Sequence, residues 1–290
     1  MIPLVDADSL VWAASAVTRE DPPEYCFQIL KSQLTKMAEK FEVTELEIWL
    51  SGNLRWRDGE ATIRKYKGNR KQPPPLHFEV AREYLIKHWA AGVYDDEADD
   101  AIAIRATHLQ DEHSYLQDPV ICAIDKDLDN VPGWHYNWKK DHLYEVSPEE
   151  ALRNFYTQVL EGDGADNILG LPNCAPSTVA KYGLRKGLSG CGAKSAEKII
   201  NQTVGTPGVG TVSDLEETLY LTTFEAYLEY AKHKIWTVDK LKAVPFEAIV
   251  EGTHNTYKEN ATLLWLSTHD KARYEVPCNL IIDEAGVKIE

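Results

Sequence analysis

Residues 94–100 read Tyr-Asp-Asp-Glu-Ala-Asp-Asp and place five acidic side chains in six positions. The apolar run Ala101–Ile104 follows directly, which is typical of a helix, because the positive end of the helix dipole stabilises acids in the first turn. Capping alone is therefore one interpretation of the stretch. Further acids stand where other strands or helices are predicted to end, namely Asp6, Asp125, Asp127, Asp163 and Asp166. A second interpretation is that the fold gathers these acids around a cation.

The pattern around the acids predicts an α/β fold with a mostly parallel sheet flanked by helices. Apolar runs at Ile2–Val5, Leu46–Leu50 and Pro119–Ile124 are typical of strands, and amphipathic helical segments alternate with them. Ligands bind at the carboxyl ends of the strands in such sheets, so we expect Asp6, Asp125 and the acidic stretch at one edge. Two ionised carboxylates about 4 Å apart repel by about 4 kcal/mol at an effective dielectric of about 20, which a bound cation would relieve.

Composition limits the classes of protein that remain. With 290 residues, of which 43% are hydrophobic, the chain is long enough for one large α/β domain or for a core with a smaller module. A net charge of −15 excludes broad electrostatic attraction to nucleic acid or to an anionic membrane, but it permits local basic patches. Five cysteines without a Cys-x-x-Cys spacing predict reduced thiols in a cytoplasmic protein. Neither a signal peptide nor a membrane-spanning run is expected.

One local basic patch is evident. Five of the eight residues of Arg64–Lys71 are basic, and the segment precedes three consecutive prolines, which are unsuited to a helix interior. Such a charge run is either a solvated face or a surface that holds phosphates.

The acids and the basic segment together predict a nuclease. Carboxylates without accompanying histidine or cysteine ligands select Mg²⁺ or Mn²⁺ rather than Zn²⁺. Two such ions about 4 Å apart suit the hydrolysis of a phosphodiester, and a basic segment that contains an aromatic residue, here Tyr66, suits the nucleic-acid backbone.

Six motifs, in order, resemble the structure-specific 5′-nucleases, the family of the flap endonucleases and of the 5′-exonuclease domain of bacterial DNA polymerase. The likeness is nearest to the 5′→3′ replication exonucleases of phages and extends over residues 2 to about 200. The motifs are Val5-Asp6, Tyr66–Arg70, Glu97–Asp100, Asp125–Asp127, Gly162–Gly170 and Gly190–Lys194. The resemblance implies a PIN-like 5′-nuclease core with its arch at residues 1–168, the arch covering about 53–92. It also implies a helix-hairpin region with C-terminal helices at residues 169–290.

The resemblance implies a site for two Mg²⁺ ions, for which Mn²⁺ can substitute. The residues implied at or beside the first ion are Asp6, Glu97, Asp99 and Asp125, with Asp100 as a further acid that some phage members use. Those implied to hold or orient the second ion are Asp127, Asp163 and Asp166.

The resemblance also implies contacts with DNA. Lys67 and Arg70 would lie at the base of the helical arch and contact the scissile phosphate. Tyr66 and Lys71 are expected beside them, although packing in the core is an equal alternative for Tyr66. The helix-hairpin contacts expected with the duplex backbone, where a potassium ion is a further implication, are Gly190, Gly192, Lys194 and Lys198.

Two departures from the family pattern stand out. Gly52 occupies a position where many members carry an aspartate, so the first metal site lacks an acid unless Asp8 or Asp58 replaces it. In addition, residues 173–189 are inserted before the hairpin glycines, either as a DNA contact or as a longer surface loop.

The sequence therefore predicts a monomeric, magnesium-dependent 5′→3′ exonuclease or flap endonuclease of phage DNA replication, primer removal or recombination. Its expected substrates are duplex DNA with 5′ ends or flaps, and RNA–DNA hybrids. Replication proteins are possible partners, and a host cytoplasm is the expected compartment if the chain is viral. One alternative is an RNA-directed nuclease of the PIN type. The other, motivated by Gly52, is a structure-specific DNA-binding protein with feeble catalysis.

Overall fold

The computed structural model describes residues 1–111, 118–171, 191–201, 210–236, 246–266, 274–283 and 286–289. The chain divides into two compact units, each discontinuous in sequence. The first consists of Met1–Trp56, Lys71–Ala151 and Leu266–Ala272. The second consists of Arg57–Arg70, Leu152–Trp265 and Arg273–Glu290. The predicted division after residue 168 falls inside the second unit, and a division by function stays a prediction.

The first unit is built on a six-stranded sheet. Its strands are β1 (Ile2–Asp6), β2 (Glu47–Ser51), β3 (Gly92–Tyr94), β4 (Pro119–Cys122), β5 (Gly133–Asn137) and β6 (His142–Val146). The order is β3-β2-β1-β4-β5-β6, and every neighbouring pair is parallel except the β5–β6 hairpin. The prediction of a mostly parallel sheet flanked by helices is confirmed.

Helices cover both faces of this sheet. They are α1 (Ala7–Val17), α2 (Pro23–Lys40), α4 (Phe78–Trp89) and α5 (Ala98–Asp111). Successive residues of a strand point to opposite faces, so Val5 packs in the cluster that holds α1, α2 and α4 residues, whereas Leu4 packs with Ile102 and Ala106 of α5. Burial on both faces explains why β4 and the residues of β1 that precede Asp6 are apolar.

The second unit is mainly helical. Its helices include α6 (Pro148–Glu161), α7 (Ala193–Asn201), α8 (Val212–Trp236) and α9 (Phe246–Leu264), and a hairpin joins β7 (Leu280–Asp283) to β8 (Gly286–Ile289). A short helix, α3 (Trp56–Glu60), begins at the last residue of the first unit's opening segment. The core is rich in tyrosine and includes Tyr156, Tyr220 and Tyr257. Among the described helices, none combines the length and apolar character that a membrane span requires.

The sequence pattern of the C-terminal half predicts helices over 212–221, 224–236 and 257–266 and an extended tail, and three of these expectations need correction. Residues 212–236 form one helix, within which the buried Thr223 hydroxyl donates to the Leu219 carbonyl. Helix α9 begins at Phe246. The tail forms the β7–β8 hairpin.

Candidate metal centre

The carboxyl ends of four neighbouring parallel strands define one edge of the sheet. Asp6 ends β1, the acidic stretch follows β3, and Asp125 follows β4 by three residues. Because β3, β2, β1 and β4 are all parallel, these acids emerge at the same edge, as the alternation of strands and helices indicates.

Three carboxylates converge at this edge. Oxygens of Asp96, Glu97 and Asp100 lie within 4.8 Å of one another, and Glu97 and Asp100 are 6% and 1% exposed. Glu97 and Asp100 meet because residues three apart share a helix face. The Asp96 side chain is fixed by two backbone donors, Glu97 N at 3.0 Å and Trp56 N at 3.1 Å.

Two further observations bear on the charge of this group. The Trp56 indole Nε1 donates to Asp100 Oδ2 at 2.9 Å, so one residue contacts two of the three carboxylates. Burial raises the pKa of Asp96, and the charges of Asp100 and Glu97 raise it further, whereas the backbone donors of Trp56 and Glu97 oppose that shift. The three carboxylates therefore repel one another, and the hydrogen-bond donors offset part of that repulsion.

The donor set fits a hard divalent cation. All three groups offer carboxylate oxygens, and no histidine or cysteine belongs to the group. Oxygen-only ligation suits Mg²⁺ or Mn²⁺, which relieve the repulsion that burial strengthens.

Asp6 carries a strongly perturbed carboxyl at the same edge. Its side chain caps α1 by accepting from Asp8 N at 3.2 Å, and it is 7% exposed. Burial raises the pKa of Asp6 to about 6, a hydrogen bond with Ser9 opposes the shift, and the charges of Asp8 and Asp125 add to it. Asp6 and Asp125 are thus electrostatically coupled.

This shift predicts a pH dependence of stability for the metal-free protein. Asp6 is protonated in both states below about pH 4, whereas above about pH 6 the folded state must hold a buried charge that the unfolded state solvates freely. The free energy of unfolding is therefore expected to fall by roughly 3 kcal/mol between these values from this group alone. Urea unfolding across that range measures it. Asp6→Asn should flatten the profile, and an unchanged profile in that variant contradicts the assignment.

Three other predicted ligands, Asp99, Asp125 and Asp127, have different surroundings. Asp125 is exposed and caps the 3₁₀ turn Lys126–Asn130, where its Oδ1 accepts from Asp127 N at 3.0 Å. Asp127 is half-buried in that turn. Asp99 is half-buried, its Oδ1 accepts from Asp100 N at 2.7 Å, and it is not one of the three converging carboxylates.

The backbone around Gly52 leaves no room for a side chain. A Cβ on Gly52 would lie 2.3 Å from the Tyr94 carbonyl oxygen and 2.4 Å from that of Asp95. Gly52 N donates to the Asp96 carbonyl at 2.8 Å, so the acidic stretch occupies the space that a side chain here needs. This turn therefore fits glycine and not the aspartate expected at this position.

Neither proposed substitute for that acid joins the group. Asp8 is paired with the Arg82 guanidinium at 2.6 Å and also accepts from Ser51 N at 2.8 Å. Asp58 is exposed in α3 and belongs to the second unit.

In the second unit, predicted metal ligands and predicted phosphate contacts meet each other. The Asp166 carboxylate accepts from Arg70 at 2.5 Å and from the Tyr66 hydroxyl at 2.8 Å, and Lys67 Nζ lies 3.6 Å away. The Lys67 backbone N–H donates to the Asp166 carbonyl at 2.9 Å. In this structure the Asp166 carboxylate thus binds the side chains of Arg70 and Lys67, and its carbonyl binds the backbone of the same segment.

Asp163 is buried beside this contact. Its Oδ1 accepts from the backbone N–H groups of Ala165 at 2.6 Å and Asp166 at 3.1 Å, and its backbone pairs with Ile168. The turn that presents Asp166 is therefore closed by Asp163.

Tyr66 corrects an expectation. Its ring is 3% exposed within the core of the second unit, and Lys67 Nζ lies 4.8 Å from the ring centroid. The ring offers no free face to a base, so packing is the interpretation that holds. Lys71 and Arg70, by contrast, are exposed.

The predicted helix-hairpin is described in part. Gly190 and the 173–189 insertion lie outside the described residues. Gly192 precedes α7, and its carbonyl accepts from Ser195 N and Ala196 N. Lys194 and Lys198 are both exposed, one turn apart on the face opposite the buried Ile199 and Ile200.

Solved structures provide the comparison. A pseudo-enzyme–product complex of the bacteriophage T5 flap endonuclease with DNA and metal ions matches with a TM-score of 0.51 at 12% identity. The match covers 88% of this chain and 98% of that chain. This chain shares the fold of that flap endonuclease. A T5 5′-exonuclease with bound zinc matches at 15% identity and a TM-score of 0.49, over 88% of this chain and 99% of that one. No protein-family model and no curated protein sequence matches the chain.

Two residues of the site escape sequence reasoning. Asp96 is left out of the predicted ligands because the stretch has more acids than a site needs. The sequence carries no signal that separates Asp96 from its acidic neighbours. Trp56 lies 44 positions from Asp100 and carries no motif that would link it to the acids.

Proposed function

We propose that this protein is a metal-dependent 5′-nuclease that hydrolyses phosphodiesters of DNA from 5′ ends and flaps, and those of RNA–DNA hybrids. The observation that carries the proposal is the convergence of Asp96, Glu97 and Asp100 at the carboxyl edge of a parallel sheet. The shared fold supports it, since the T5 flap endonuclease was crystallised with DNA and metal ions.

The proposed cofactor is Mg²⁺, with Mn²⁺ as a substitute. Glu97, Asp100 and Asp96 would hold an ion, with Asp6 and Asp125 beside it. The remaining acids of the proposed two-ion site are Asp99, Asp127, Asp163 and Asp166. Bound ions supply a more acidic attacking water and neutralise charge on the phosphate and the leaving oxygen.

The proposed roles of the basic residues are separate. Lys67 and Arg70 neutralise the scissile phosphate, and Asp166 holds them ready until the phosphate competes for them. Lys71 adds a sequence-independent backbone contact. Gly190, Gly192, Lys194 and Lys198 bind the duplex backbone, with a potassium ion at the hairpin. We propose that the protein acts as a monomer in the host cytoplasm. Its proposed process is phage DNA replication, primer removal or recombination.

Cleavage of a 5′-labelled duplex and of a 5′-flap substrate tests the function. We expect product release in Mg²⁺ and in Mn²⁺, and none in EDTA. Single-stranded RNA of the same sequence serves as the competing substrate. Preferential cleavage of that RNA favours the PIN-type alternative. Tight flap binding without cleavage in either metal favours a DNA-binding protein, the alternative that Gly52 motivates.

A further inference from the structure

We propose that Trp56 is a positioning residue of the carboxylate group, which fixes Asp96 and Asp100 for ion binding. The inference rests on the proposed function, because it assigns a residue to the same site. Trp56 lies outside the six motifs of the chain, and its contacts with the carboxylates carry the inference.

Trp56 reaches two of the three carboxylates through two different donors. Its backbone N–H donates to Asp96 Oδ2 at 3.1 Å and its indole Nε1 donates to Asp100 Oδ2 at 2.9 Å. One residue therefore donates to two of the three carboxylates of the group. All these residues belong to the first unit.

Each of the two donor groups of Trp56 has little conformational freedom. The backbone donor stands at the start of α3, where N–H groups have no partner within the helix, so its use by Asp96 costs no helical hydrogen bond. The indole is a planar, donor-only group attached by two rotatable bonds and half-buried. Asp100 is 1% exposed, so a donor to its outer oxygen replaces the solvation that this oxygen lacks.

Donors of this kind matter for the binding of ions. Partners behind a ligating carboxylate fix its orientation, and their loss weakens metal affinity by about 10–100-fold. A carboxylate in a repulsive group tends to rotate away from its neighbours, and removing the indole N–H takes away one of the donors that oppose this rotation of Asp100. The Asp96 contact comes from the backbone and survives side-chain substitution.

Mn²⁺ binding, followed by the electron paramagnetic resonance signal of the free ion, tests the inference without relying on turnover. Trp56→Phe keeps an aromatic ring and removes the donor, and we expect the dissociation constant for Mn²⁺ to rise by about tenfold. Trp12→Phe is the matched control, because Trp12 is 45% exposed and its ring packs edge-on against Phe78. It should bind Mn²⁺ as the wild type does.

Three outcomes separate the inference from the function beneath it. If Glu97→Gln binds Mn²⁺ as tightly as the wild type, the metal site itself is wrong. If Glu97→Gln loses Mn²⁺ whereas Trp56→Phe retains wild-type affinity, only the role of Trp56 is wrong. Should Trp56→Phe unfold at lower temperature, β-(3-benzothienyl)alanine at position 56 decides, because it replaces only the N–H by sulfur. Unchanged Mn²⁺ affinity with that isostere overturns the inference.

Discussion

Replacing Asp100 by asparagine is expected to reduce cleavage of a 5′-labelled duplex in Mg²⁺ by about a thousandfold, because a lost ion ligand removes several kcal/mol of transition-state stabilisation. The substitution keeps the shape of a side chain that is 1% exposed, and it removes one of three negative charges within 4.8 Å. The loss should therefore come from charge and ligation rather than from packing. Single-turnover rates with saturating enzyme measure it.

The metal-free stability of the same variant separates function from folding. Removing one charge from a repulsive group is expected to leave the melting temperature in EDTA unchanged or higher, while cleavage falls, which is the usual trade-off at an active site. Asp95→Asn is the matched control, since Asp95 is the exposed neighbour in the same stretch and lies outside the group. Full activity of Asp100→Asn, with contaminating nuclease excluded, contradicts the proposed centre.

Gly52→Asp is expected to destabilise the protein by about 3 kcal/mol and to leave the metal site without an added ligand. The substitution introduces the acid that the resemblance to the 5′-nucleases leads us to expect at this position. The geometry does not accommodate it, because the new Cβ would stand 2.3 Å from the Tyr94 carbonyl oxygen. Relief requires the acidic stretch to move, which displaces Asp96 from the group that it completes.

Urea unfolding in EDTA and Mn²⁺ titration together measure this effect. Gly59→Ala is the control, because a Cβ there meets no heavy atom within 4 Å and an alanine in a helix stabilises by about 0.5–1 kcal/mol. Tighter Mn²⁺ binding by Gly52→Asp at unchanged stability would mean that the backbone of residues 94–96 yields without cost, against the steric account given above.

The sequence predicts the parts of the fold that depend on local pattern. The apolar runs Ile2–Val5 and Pro119–Ile124 are observed as β1, which ends at Asp6, and β4, which ends three residues before Asp125. The continuity of α8 could not be predicted, since the burial of Thr223 against Tyr257 depends on a helix 34 positions away. Propensity favours a break there, and tertiary packing overrides it.

The same distinction between local pattern and contacts of distant segments applies to the site. Asp6 and the 94–100 stretch follow from strand ends, because parallel strands deliver their carboxyl ends to one edge. The choice of Asp96 over Asp99 for the converging group depends on Trp56 and on the close approach at Gly52, which are contacts between distant segments. Tyr66 shows the same limit, since a tyrosine in a basic segment is typical of a base-stacking contact and yet lies in the core.

The hydrogen bonds of the buried Arg57 depend on residues near the C-terminal end of α9. Its guanidinium donates to the carbonyls of Leu263 at 2.9 Å and Trp265 at 2.7 Å, which lie 206 and 208 positions later. The Glu259 carboxylate accepts hydrogen bonds from Thr62 N and Ile63 N. At about 5–20 residues per second, roughly 10–40 s of synthesis separate these partners. The segment that carries Lys67 and Arg70 can therefore meet Asp166 first on a nascent chain. The partners of its N-terminal end become available only when the end of the second unit has been synthesised.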